Sequence, residues 1–464
     1  MNDLLKLTIR EILGLYRERS LSPTEYWQAV EARIAAVEPR VQALYLYDPD
    51  AARSQAEAST RRWARGEPMG LLDGIPVTVK ELIATRGDPV PMGTRAVDLV
   101  PAAEDAPAAA RLREDGAIIF AKTTCPDYGM LSSGLSSFHP LARNPWDLSR
   151  NPGGSSAGAS AAAAACFGPL HIGTDIGGSV RLPAGWTGIF GFKPSHGRIP
   201  VDPYYLGRCA GPMTRTVEDA ALSMPTLSRP DWRDGTALES NDFNWLDLDL
   251  DVKGMKIGLM MDAGTGLSVD ADVQQAVLSA ARRFEDAGAV VVPVAPVLTR
   301  EMLDGLDVFW RARFWGQIEK LPDAGKAMIL PYIFQWAEGG SSVSGVEAVR
   351  GFDRTIEMRR ACSKLFSQVD AVLSPTNPIV SYPADWASPT NDPSLPFEHI
   401  AFTVPWNMSE QPAASINCGF STSGMPIGLQ IVGPRFGDLL VLKLAHAFEE
   451  WSGGVTAWPE LANE

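Results

Sequence analysis

The sequence predicts an α/β fold in which a largely buried sheet carries helices on both faces. Two observations carry that expectation. From about Leu72 onward, short apolar segments of strand length alternate with segments of helical period. In addition, 45% of the 464 residues are apolar and 21% charged, which supplies a large core and separates the chain from disordered or collagen-like compositions.

The elements follow in order. Leu4, Leu5, Ile9, Ile12 and Leu13 recur at helix-face spacing. Ser22-Pro23-Thr24-Glu25 then forms a capping box with proline at the first helical position, so two helices precede any strand. Strands are expected at 75–80, 117–121, 170–174, 255–260, 289–294, 371–373, 413–418 and 427–432. Helices are expected at 107–115, 157–167, 217–224, 270–287 and 439–451. The stretch 301–366 shows no convincing strand and reads as a mostly helical insertion rich in Trp, Phe and Met, suited to roofing a pocket. The weakly polar run 157–170 is too short and too rich in Ala and Gly to drive membrane insertion, and reads as a tightly packed buried helix.

Charge and cysteine usage narrow the function classes. A formal net charge of -14 opposes attraction to phosphate backbones and anionic lipid, so neither nucleic acid nor membrane is an expected partner. Cys125, Cys166, Cys209, Cys362 and Cys418 are scattered, odd in number and form no CxxC pair, as expected of reduced cysteines in a cytoplasmic protein. The first fifteen residues carry Asp3, Lys6, Arg10 and Glu11, which does not fit an export signal.

The segment 151–198 holds the chemistry. Two glycine–serine turns, Gly153-Gly154-Ser155-Ser156-Ala157-Gly158 and Asp175-Ile176-Gly177-Gly178-Ser179, flank an Ala-rich helix and a short strand. After an apolar strand, consecutive N–H groups from Ile176 to Ser179 can converge where a carbonyl oxygen becomes negative, and the glycines permit close approach. Ser179 is the candidate nucleophile. None of the five histidines has a diagnostic setting as its base. A lysine held neutral by burial is the alternative, and Lys80 ends the alternating segment Gly74-Ile75-Pro76-Val77-Thr78-Val79-Lys80.

These segments resemble the amidase signature family, whose members use a Ser–cis-Ser–Lys triad. The resemblance includes Asn144-Pro145-Trp146, Pro152-Gly153-Gly154-Ser155-Ser156 and the run from Gly173 to Ala184. Gly191-Phe192-Lys193-Pro194, Gly211-Pro212-Met213, Gln411-Pro412-Ala413-Ala414-Ser415 and Gly424-Met425-Pro426-Ile427-Gly428-Leu429-Gln430 extend it. It spans roughly residues 5 to 450 with the motifs in family order.

The resemblance implies an α/β/α sandwich with a large mixed sheet, and with no internal repeat, low-complexity tail or obvious linker the chain is expected to form one domain over 1–464. Residues 1–70 would be the N-terminal helical segment, 71–230 the catalytic core and 300–366 the insertion. It implies that Ser155, after a cis bond from Gly154, bridges Lys80 to Ser179. Ile176, Gly177, Gly178 and Ser179 would supply oxyanion N–H groups, with Asp175 and Arg181 supporting the turn and Ser156 as a hydrogen-bonding neighbour. Cys125, Gly129, Met130, Trp310 and Trp336 are the expected pocket residues.

The implied activity is hydrolysis of linear amides through an acyl-enzyme, without metal or organic cofactor. An aryl or alkyl amide, an anilide, a carbamate or an ester would be the substrate, and a homodimer the expected self-association. The alternatives are a carbamate hydrolase of the same mechanism and the amidase subunit of a tRNA-dependent amidotransferase complex. The segment 123–130 departs from the pattern expected of that subunit. Two further departures from the family pattern, Ala157 and Glu81, bear on packing and substrate shape rather than on proton transfer.

Competing motifs fail their context. Gly154-Ser155-Ser156-Ala157-Gly158 matches a nucleophile elbow centred on Ser156, but the elbow needs a preceding strand, and 144–152 is polar and broken by proline. The acidic alternation at 247–251 lacks the glycine and glutamate of a calcium loop, having Val252 and Gly258 there. Cysteines and histidines show no metal-ligand spacing.

Overall fold

The computed structural model describes residues 3–240, 242–454, 457–459 and 461. Its strands are β1 (Leu44–Tyr45), β2 (Pro76–Lys80), β3 (Ile118–Thr123), β4 (Leu170–Asp175), β5 (Phe190–Lys193) and β6 (Cys209–Thr214), followed by β7 (Lys256–Leu259), β8 (Val290–Pro293), β9 (Ala371–Pro375), β10 (Ala413–Phe420) and β11 (Pro426–Val432). They form one sheet in the order β1-β3-β2-β4-β6-β5-β10-β11-β9-β7-β8. Parallel pairing joins β3-β2-β4 and β9-β7-β8, while the middle of the sheet is antiparallel. The mixed α/β sheet expected from the sequence is therefore present.

All eight expected strands appear, shifted at their ends by up to two residues. Three others do not read as strands in the sequence. β1 has two residues, β5 is Phe-Gly-Phe-Lys, and β6 carries Gly211 and Pro212 inside a six-residue strand. Glycine and proline argue against a strand locally, but β6 pairs along its whole length with β4, from Leu170↔Thr214 to Asp175↔Cys209, and tertiary pairing overrides the local preference.

The capping box at Ser22 is formed: its hydroxyl accepts from the Glu25 N–H, Glu25 reaches back, and Pro23 opens the helix Pro23–Val41. Thr8 and Glu11 build a second box on Ile9–Glu18. A helix at Pro49–Arg65 was not expected, because its buried face is only Ala52, Ala56 and Ser59, a stripe too small to register as apolar period. The helix Ala157–Ala164 is buried on every side. A side chain at Gly158 would meet Ala43 O at 2.2 Å and Thr124 N at 2.4 Å, so only glycine permits this packing. Among the described residues no helix is long and apolar enough to cross a membrane.

Between residues 300 and 365 the chain is helical, with Arg300–Ile318, Asp323–Lys326, Pro331–Glu338 and Gly345–Leu365. Leu306, Trp310, Phe314, Trp336 and Met358 from this stretch share an apolar cluster with Leu182, Trp186 and Trp406, next to the second glycine–serine turn. Each large side chain fully buried here contributes about 1.5–3 kcal/mol. The N-terminal helices pack instead on the cluster under β2, β3 and β4.

Candidate active site

Lys80 is the last residue of β2, which lies between β3 and β4, and its side chain is fully buried. Its amine lies 2.7 Å from Ser155 Oγ and 3.0 Å from Thr174 Oγ1. No carboxylate pairs with it among the described residues. Burial pushes the Lys80 amine down to about 8, and the Arg208 guanidinium acts in the same direction against Cys125, Asp175 and Glu81. The Gly154–Ser155 peptide is cis. Thr174 is a partner not anticipated from the sequence; it lies within the family-like run from Gly173 to Ala184, but a strand threonine carries no signal of its own.

Ser156 faces away from this chain of groups. Its hydroxyl donates to Thr174 O and accepts from the Thr174 N–H, both at 3.2 Å, and it is fully buried. Its N–H donates to Ser179 O at 3.3 Å, which ties the two glycine–serine turns together. Ser179 itself is half-buried and lines a cavity.

Asp175 organises the second turn. Its carboxylate accepts from the N–H groups of Gly178 at 2.8 Å and Val180 at 3.1 Å. Gly178 therefore differs from the expectation: its N–H is committed to Asp175. Among the described residues no acceptor is found for the N–H groups of Ile176, Gly177 and Ser179. Gly178 has φ +125°, and a side chain there would meet Thr403 Oγ1 at 2.5 Å.

Arg181 clamps the same carboxylate with Nε at 3.0 Å and Nη2 at 2.9 Å, and donates to Gln430 Oε1 at 2.7 Å and Asn407 Oδ1 at 2.6 Å. Burial alone would raise the Asp175 carboxyl, but the adjoining Arg181 charge and hydrogen bonds hold it well below the usual range. Gln430 ends a family-like motif, whereas Asn407 lies in a stretch with no readable pattern.

The cavity beside Ser179 is lined mainly by apolar groups. Met130, Trp310, Phe314, Ile333, Trp336, Phe397 and Ile400 form much of its wall, and Gly129, Ile176 and Gly177 complete the end near the turns. Gly129 has φ +68°, and a side chain there would come within 3.5 Å of Ser155 Oγ. Of the expected pocket residues, Gly129, Met130, Trp310 and Trp336 line the cavity and Cys125 does not.

Cys125 sits behind the site, almost fully buried, with its thiol 3.4 Å from Glu81 Oε2. The Glu81 carboxylate also accepts from the N–H groups of Met92 at 2.7 Å and Gly93 at 2.6 Å, and lies 3.0 Å from His139 Nε2. Glu81, Cys125 and His139 offer ligand atoms within 4.8 Å of one another, a grouping invisible to linear spacing. Two backbone N–H groups already occupy the carboxylate, so the cluster acts as a hydrogen-bond hub pinning the 92–93 turn.

His399, from the segment between β9 and β10, lines the cavity with Nε2 2.7 Å from Ser132 Oγ, and burial depresses it to about 3. It is neutral at working pH. His171 is likewise depressed by burial to about 3, bonded to Thr78 on β2. Among the described residues neither ring is hydrogen-bonded to Ser155, Ser156 or Ser179.

The Amidase family model matches residues 25–442. A glutamyl-tRNA(Gln) amidotransferase subunit of Chloroflexus aurantiacus is 31% identical, with 99% of this chain and 100% of the relative covered. A crystal structure of a bacterial aryl acylamidase of the amidase signature enzymes superposes with a TM-score of 0.88 at 28% identity, over 96% of each chain. The corresponding glutamyl-tRNA(Gln) amidotransferase subunit of Thermotoga maritima superposes with a TM-score of 0.79 at 26% identity, over 100% of this chain and 99% of that one.

Proposed function

Since the chain belongs to the Amidase family, we propose that it hydrolyses the C–N acyl bond of linear aryl or alkyl amides through an acyl-enzyme on Ser179. The observation that carries this reading is the buried Lys80 amine, 2.7 Å from Ser155 Oγ, with no carboxylate paired to it among the described residues. Ser179 Oγ attacks the carbonyl carbon as its proton passes to Ser155, whose own proton moves to Lys80. The N–H groups of Ile176, Gly177 and Ser179 receive the oxyanion. Lys80 returns the proton through Ser155 to the leaving nitrogen, the C–N bond breaks, and the amine departs. Water then attacks the ester by the same relay and frees the acid. A carbamate cleaved at the same C–N bond would release its amine first and leave an alkyl carbonate on Ser179; water would free the monoalkyl carbonic acid, which loses carbon dioxide to give the alcohol.

A second reading, the amidase subunit of an amidotransferase complex, is favoured by full-length similarity to proteins of that name at 31–33% identity. Two observations weigh towards the small-molecule amidase. The net charge of -14 opposes a tRNA partner, and the aryl acylamidase superposes more closely than the Thermotoga protein.

Incubation of the isolated chain with a fluorophosphonate, followed by peptide mapping, tests the nucleophile. The adduct is expected on Ser179, absent from Ser179→Ala and retained in Ser156→Ala; an adduct on Ser156 would overturn the assignment. Turnover of acetanilide by the isolated chain, without any partner protein, is the companion result. A chain that labels on Ser179 yet cleaves no amide, carbamate or ester would favour the complex.

A further inference from the structure

Among the described residues, the cavity lining contains no carboxylate, and Arg313 is its single charged side chain. Arg313 lies one turn after Trp310 on the helix Arg300–Ile318, where its guanidinium stacks 3.7 Å from the centroid of the Tyr205 ring. Two residues earlier, Arg311 is paired with Asp307 at 2.8 Å. Arg313 has no carboxylate partner among the described residues, although the chain carries 55 acidic residues against 41 lysines and arginines. Stacking on Tyr205 leaves the edge of the guanidinium, with its N–H donors, open for a planar anion.

Extending the acyl-transfer reading above, we propose that Arg313 selects substrates carrying a carboxylate on the part of the molecule remote from the scissile amide. The apolar walls of Trp310, Phe314 and Ile400 hold the aryl or alkyl body, and Arg313 pairs with the carboxylate through two parallel N–H···O bonds. An ammonium group finds no counter-charge in this lining, so cationic amides are disfavoured by the same geometry.

Binding separates this inference from the hydrolytic reading. Ser179→Ala protein, unable to acylate, is titrated calorimetrically with two isosteric pairs: 4-acetamidobenzoate against 4-acetamidobenzamide, and N-phenylsuccinamate against N-phenylsuccinamide. In at least one pair the carboxylate is expected to bind about tenfold more tightly than its neutral isostere. That ratio should fall towards one in Ser179→Ala/Arg313→Gln and recover partly with Arg313→Lys. Equal affinities within both pairs, or a preference that survives Arg313→Gln, would overturn the inference whether or not the wild-type enzyme cleaves amides.

Discussion

Two regions meet at the cavity and are held by different physics. At the glycine–serine turn, Asp175, Arg181, Asn407 and Gln430 are fully or almost fully buried and exchange hydrogen bonds of 2.6 to 3.1 Å. Across from it, the helices Arg300–Ile318 and Pro331–Glu338 present Trp310, Phe314 and Trp336, whose contacts are largely ring against ring; Trp310 and Trp336 both meet Phe397 edge to face, at 5.0 and 5.8 Å, and Trp336 Nε1 also donates to Asp307 Oδ1 at 2.8 Å. A buried polar network tolerates few substitutions, since each unpaired group costs its desolvation. An apolar wall accepts others of similar volume. In the proposed mechanism the reaction is therefore written in the first region and substrate choice in the second.

The sharpest way to break that division is at Lys80. Lys80→Ala is expected to lower kcat/KM for acetanilide by about 10²–10⁴-fold, the usual worth of a positioned general base. Lys80→Arg should fail similarly, because a guanidinium does not accept a proton. Lys80→Met should lose activity yet gain stability. The unfolded amine takes its proton near 10.5 and the folded one only near 8, so the penalty is complete below about pH 8 and gone above about 10.5. Urea titrations at pH 7 should show Lys80→Met more stable by up to about 3 kcal/mol, with the gain fading by pH 10.5. A stability difference independent of pH would contradict this.

Next in size, Asp175→Ala leaves the Arg181 guanidinium buried without its counter-charge. A loss of about 3–5 kcal/mol of stability is expected from denaturant unfolding. A loss below about 1 kcal/mol would mean that Asn407 and Gln430 hold the turn without the ion pair.

The smallest effect belongs to the aromatic wall. Trp310→Ala should reduce the ratio of kcat/KM for acetanilide over acetamide about tenfold, the order expected from removing part of an apolar pocket. An unchanged ratio would move specificity elsewhere in the cavity.

The same contrast governs what could be read in advance. Lys80 and Ser179 stand out in the sequence because a glycine-rich turn and a buried lysine demand particular residue types, whereas the roles of Ser155, Asp175 and Arg181 follow from the resemblance to the amidase signature family. β6 escaped notice because Gly211 and Pro212 suppress the local strand signal, while its full-length pairing with β4 depends on residues 170–175, far away in the chain. The helix Pro49–Arg65 escaped because its contacts are made by alanine and serine. In the cavity, Trp310 and Trp336 were legible as aromatic surface, but Phe309, Trp315 and Phe334 from the same helices do not line it. Composition cannot say which face of a helix turns inward. His399 and Arg313 enter the wall by tertiary placement alone, and the Glu81 hub gathers residues 44 and 58 positions apart.

The proposed mechanism needs a lysine that is neutral when the reaction begins, and the pH dependence of kcat/KM for acetanilide, which does not ionise, tests that directly. The profile should rise with pH through an apparent pKa of about 8 as the Lys80 ammonium is lost, and the limb should vanish from the residual activity of Lys80→Ala. A wild-type profile that is flat from about pH 6 to 10, or a limb that persists unchanged in Lys80→Ala, would contradict the lysine-base mechanism.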